Sequence, residues 1–65
     1  MANENLFRST ASQKGISLKS MAEKMDIHPA TLYRKLKGKQ DFTEMEIRLC
    51  IELFGKEAAW EIFFS

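Results

Sequence analysis

Between Met25 and Pro29 the chain has room for a turn of three or four residues and nothing longer, and this spacing constrains the fold more than any other feature. Ser17 is a good N-cap, and Leu18, Met21, Ala22 and Met25 follow at i, i+3, i+4 and i+7, one buried face of a short helix. The pattern then breaks. Asp26 is a residue type that tolerates positive φ, Ile27 is apolar, and Pro29 disfavours helix at His28 while suiting a first helical turn itself. A second short helix therefore opens near Pro29, turns Leu32 and Leu36 inward and ends before Gly38. Two such helices joined by a tight turn must cross steeply, which requires a small side chain at the crossing, and Ala22 supplies it. Ile27 and Leu32 fill the wedge, and the second helix is pushed outward. Ala30, Thr31, Tyr33, Arg34 and Lys37 are left for other faces.

Around this pair the sequence predicts a compact all-α bundle of about five short helices, a single domain over residues 1–65. A first helix runs from about Asn5 to Lys14, with Leu6, Phe7, Thr10 and Ala11 on one side, Gly15 as a left-handed stop and Ile16 folding back. Thr43 and Glu46 form a capping box and Phe42 and Ile47 a hydrophobic staple, fixing the start of a fourth helix. Ile47, Cys50, Ile51 and Phe54 repeat along it, Leu49 and Leu53 widen the stripe, and Gly55 closes it. A last helix, Glu57 to Phe64, sets Ala59, Ile62 and Phe63 on one face with Trp60 and Phe64 beside it. No window alternates apolar and polar residues with β-branched enrichment as a strand would, so none is assigned.

With 65 residues the chain holds one small core, and its lone Cys50 and lone His28 allow neither an internal disulfide nor a zinc staple. No apolar run reaches the roughly 20 residues that span a bilayer, and no signal peptide opens the chain, so a cytoplasmic protein without a membrane partner is expected. The net charge of +1 says little; its distribution says more. Residues 8 to 39 carry eight cations (Arg8, Lys14, Lys19, Lys24, Arg34, Lys35, Lys37, Lys39) against Glu23 and Asp26, whereas residues 40 to 65 carry six anions against Arg48 and Lys56. A cationic field on one half of a small body is the footprint of a polyanion binder. Without the spacing of residues 17 to 38 a solvated basic face would be the simpler reading; with it, double-stranded DNA is the expected partner.

The segment SLKSMAEKMDIHPATLYRKLKG, residues 17 to 38, resembles the helix-turn-helix of the Cro/CI-type, lambda-repressor-like regulators of phages and related bacterial elements. The likeness extends over the whole chain, through Gly15-Ile16-Ser17, the small Ala22, apolar Met21, Met25, Ile27 and Leu32, and the Lys37-Gly38-Lys39 exit before a capped helix. Asp26 stands where that family prefers glycine. Lys35 stands where many members bury an aliphatic or tryptophan side chain; Leu36 then takes the core role with some rotation of the helix, leaving open which of Arg34 and Lys35 faces DNA.

The resemblance implies base contacts from Pro29, Ala30, Tyr33 and Arg34, with Ala30 suited to a thymine methyl and Arg34 to a guanine. It implies phosphate contacts from Ser17, Lys19, Lys37, Lys39 and Lys14 or Gln13, with His28 and Thr31 near the backbone. For Tyr33 the alternatives are stacking on DNA and covering its own helix. Trp60, Phe63 and Phe64 finish the monomer core, form the seam of a weak homodimer assembled on DNA, or do both. The implied function is a sequence-specific transcriptional regulator, a repressor consisting of the DNA-binding domain alone, occupying an operator in competition with another repressor. The alternative is a protein-interaction module, an antirepressor or DNA-binding antitoxin gripping a partner through its aromatic C-terminal segment. No nucleophile, base, metal cluster or phosphate-binding glycine loop converges, so neither an enzyme nor a cofactor is expected; His28 reads as a helix-opening residue and Cys50 as a buried hydrophobe.

Overall fold

The computed structural model describes residues 2–64, and among them it contains five α-helices and no strand. The helices are α1 (Glu4–Gln13), α2 (Leu18–Lys24), α3 (Pro29–Leu36), α4 (Glu44–Phe54) and α5 (Lys56–Phe64). None is long and apolar enough to cross a membrane.

The first four helices start at residue types that satisfy free N–H groups. The side chains of Asn3, Ser17, His28 and Thr43 accept from the backbone N–H of Leu6, Ser20, Ala30 and Glu46. Asn3 rather than Asn5 begins the first helix, and its own N–H donates to the Ile62 carbonyl at 2.7 Å, tying the first helix to the last.

The ends of α1, α2 and α3 share one device. Ile16, Ile27 and Lys39 donate their N–H back to the carbonyls of Ala11, Ala22 and Arg34 at 2.9, 3.0 and 2.9 Å, across a residue in the left-handed region. That residue is Gly15 in the first case and Gly38 in the third, but Asp26, at φ 58°, in the second. The aspartate therefore performs the glycine's task at the turn between α2 and α3. Gly55, at φ 94° and ψ 156°, lies in a region essentially restricted to glycine and lets α5 start one residue after α4 ends.

The core gathers Phe7 and Ala11 of α1, Met21, Ala22 and Met25 around α2, Leu32 and Leu36 of α3, Cys50 and Phe54 of α4 and Ile62 of α5. Ala22 and Leu32 are wholly enclosed, as the α2–α3 crossing demands, with Ile27 half-buried against them. Phe7 stands at the centre of an aromatic chain, with ring centroids 5.4 Å from Phe54 and 6.2 Å from Phe42, and Phe42 lies 5.1 Å from Phe63. The fifth helix packs on α4 and α1. Ile51, expected on the inward stripe of α4, is 38% exposed and faces out.

Candidate nucleic-acid interface

α3 divides sharply between its two sides. Leu32, Lys35 and Leu36 are buried, whereas Ala30, Tyr33, Arg34 and Lys37 lie in solvent, with Pro29 and Thr31 half-exposed. The burial of Lys35 corrects the expected rotation of this helix. Both residue 35 and residue 36 point inward, and the lysine fits because its Nζ donates to both carboxylate oxygens of Glu46 at 2.7 Å. A buried ammonium without a partner would be prohibitive; here the opposing carboxylate neutralises it. Of the two basic neighbours, Arg34 is the one that faces outward.

Arg34 is also held. Its Nε donates to the Gln40 side-chain oxygen at 3.0 Å and its Nη2 to the Thr31 hydroxyl at 3.1 Å. A guanidinium has five N–H donors, so two engaged in this way leave three free on the outer end of the fork. The side chain is thereby oriented without being used up.

The remaining candidates are exposed as well. Gln13 and Lys14 at the end of α1, Ser17 and Lys19 at the start of α2, and His28, Lys37 and Lys39 at the two ends of α3 are all exposed. The His28 ring accepts the Ala30 N–H through Nδ1 at 3.0 Å, which assigns the proton of the neutral ring to the outward Nε2. All the cations between residues 8 and 39 except Lys35 are exposed, so the basic half of the sequence carries its charge in solvent. Lys37 pairs with Glu4 of α1 at 3.1 Å while remaining largely open to solvent.

Two participants are visible only in three dimensions. Arg8 of α1, counted in the charge but given no role by the sequence, carries its guanidinium 5.9 Å from the centre of the Tyr33 ring. Gln40, beyond the end of α3, buttresses Arg34. The Glu4–Arg8 spacing was a readable i, i+4 pair; nothing local pointed to Gln40.

At the C-terminal end Phe63 is half-buried against the core, while Trp60 and Phe64 are 61% and 58% exposed with their rings 5.2 Å apart.

Two short helices joined by a turn, the second presenting a basic, polar side to solvent from an apolar bundle, define a helix-turn-helix DNA-binding protein. Comparison of the sequence with protein families gives the same class and a narrower one: the description "Mga helix-turn-helix domain" matches residues 4–65, and the chain belongs to that family. No curated protein and no solved structure matches it.

Proposed function

We propose that the protein is a sequence-specific double-stranded-DNA-binding transcriptional regulator acting by operator occupancy, a Cro/CI-like repressor of a phage, prophage or mobile element working in the bacterial cytoplasm. One observation carries the reading: the outer side of α3, with Ala30, Tyr33, Arg34 and Lys37, is open, while its inner side is locked by Leu32, Lys35 and Leu36. In this reading residues 1–65 act as one domain with its motif at 17–38. Pro29, Ala30, Tyr33 and Arg34 meet base edges, and Arg34 reads guanine through its free N–H groups. Ser17, Lys19, His28, Thr31, Lys37, Lys39, Lys14 and Gln13 position the body on phosphates.

The body is 25 Å in its longest extent, less than the roughly 34 Å between half-sites on one face of DNA, so a palindrome calls for two copies. Trp60 and Phe64 offer a neighbouring pair of exposed apolar rings for a weak homodimer formed on DNA. The same exposed pair favours a second reading, an antirepressor or antitoxin that docks another protein.

Selection of bound duplexes from a random pool tests the proposal. Enrichment of a two-fold motif containing guanine is expected; retention of the pool without enrichment would overturn sequence-specific regulation.

A further inference from the structure

We infer that Arg8 and Lys37 form a two-cation clamp for one DNA phosphodiester, and that Glu4 occupies it as an internal stand-in until the duplex displaces it. The inference rests on the DNA-binding reading and adds to it a site shared by α1 and α3.

The geometry is a square of four side chains across two helices. On α1, Glu4 and Arg8 are one turn apart; Tyr33 of α3 and Lys37, which caps its C-terminal end, are one turn apart as well. One oxygen of the Glu4 carboxylate accepts from Arg8 Nε at 2.9 Å, and the other lies 3.1 Å from Lys37 Nζ. Arg8 lies over the ring of Tyr33, whose neighbour in sequence is the outward-facing Arg34. The pair of cations thus borders the exposed side of α3.

A phosphodiester presents the same fork to two donors that a carboxylate does: two anionic oxygens on one atom. Two cations already brought together by one carboxylate are spaced for one phosphate. The side chains are accessible, with Arg8 and Lys37 at 45% and 58% exposure and Glu4 at 20%. Glu4 is the only acidic residue before Glu23, so the negative charge sits at the one place where it neutralises two cations of the basic half. Both ion pairs hold its carboxyl below the usual carboxylate range, the Arg8 hydrogen bond foremost and the Lys37 bond next, so the stand-in is anionic at neutral pH.

If DNA replaces Glu4, the wild-type protein must break two exposed ion pairs to close the clamp, and Glu4→Gln removes that competition. Glu4→Gln should bind any duplex about two- to five-fold more tightly, with a log K against log salt slope steeper by about one. The control is Glu23→Gln, which removes an exposed anion from the same basic half without touching the clamp. In the background of Arg8→Gln and Lys37→Gln, Glu4→Gln should gain nothing. Circular dichroism and thermal unfolding of each variant keep a folding defect distinct from a binding effect. A Glu4→Gln gain no larger than that of Glu23→Gln, or one that survives loss of both cations, would overturn the clamp while leaving duplex binding intact. Failure of every folded variant to bind duplex would overturn the clamp and the DNA-binding reading together.

Discussion

The ammonium of Lys35 lies 2.7 Å from each carboxylate oxygen of Glu46, and both side chains are 7% exposed. This pair joins the helix proposed to meet DNA to the start of α4, because Glu46 also accepts the Thr43 N–H at 2.9 Å and completes the capping box. One carboxylate therefore fixes the rotation of α3 and begins the next helix. The orientation of Arg34 depends on it, since a turn of α3 that exposed Lys35 would swing Arg34 away from Thr31 and Gln40.

Lys35→Met should lower stability by about 3–5 kcal/mol, because Glu46 is then a buried anion without its counter-ion. Adding Glu46→Gln should restore at least half of that loss, since glutamine retains the capping box without charge. Urea unfolding of the two single variants and the double variant measures the coupling, and additive losses would contradict the pairing.

How much of this was legible in the sequence follows from the range of each interaction. Ser17, Thr43 and the left-handed Asp26 were readable because caps and helix stops are made within a few residues. The inward side of α2 was readable because burial there follows the helical period. The role of Lys35 was not, because its partner lies eleven positions away and no periodicity links them. Nor was the Gln40 buttress, six positions from Arg34 across a helix end. Trp60 and Phe64 show the limit of hydrophobicity alone: Ala59 and Ile62 fill the inner side of α5, which leaves the larger rings in water. Arg8 had its i, i+4 partner in plain view, yet its proximity to Tyr33 exists only once α1 and α3 are assembled.

Asp26 sustains a φ of 58°, a conformation that costs an ordinary L-residue about 1–2 kcal/mol and glycine little. Asp26→Gly should therefore raise stability by about 0.5 kcal/mol after the entropy of the freer unfolded chain is subtracted. A melting temperature about 2–4 °C higher is the expected reading in a domain of this size. Gly55→Ala should do the reverse by about 1–3 kcal/mol, since nothing lies within 4 Å of the added Cβ and only backbone strain opposes it.

Cys50 is fully buried, and burial pushes its thiol up to about 12 from 9.0, with Glu46 contributing in the same direction. The folded protein should therefore resist iodoacetamide at neutral pH, and labelling should track global unfolding in urea. The thiol ionises later in the folded chain than in the unfolded one, so its contribution is complete below pH 9 and declines as pH rises toward 12. Rapid labelling without denaturant would contradict the burial.

Arg34 and Lys39 are both exposed and basic but differ in setting: Arg34 is held by Thr31 and Gln40, whereas Lys39 follows the turn after α3. Arg34→Ala should lose about 1–3 kcal/mol of discrimination at one operator base. Lys39→Ala should weaken every duplex alike and lower the salt slope by about one. Gln40→Ala should reproduce part of the Arg34 effect without changing the salt slope, because it removes a support and not a charge. Binding to the selected operator and to its single-base variants across a salt series distinguishes the three.

Trp60 and Phe64 provide the test of the proposed dimer, because their exposure allows substitution without opening the core. Replacing both by Ala should change monomer stability by less than about 0.5 kcal/mol, as surface substitutions do. Phe63→Ala, by contrast, removes a ring 5.1 Å from that of Phe42 and should cost about 1–3 kcal/mol. On a two-fold operator the Trp60 and Phe64 double variant should still bind each half-site but lose cooperativity between them, which sedimentation reads as 1:1 complexes where the wild type gives 2:1. A double variant that assembles two copies as readily as the wild type would remove the dimer seam from this face. The exposed rings would then belong to contact with a different protein.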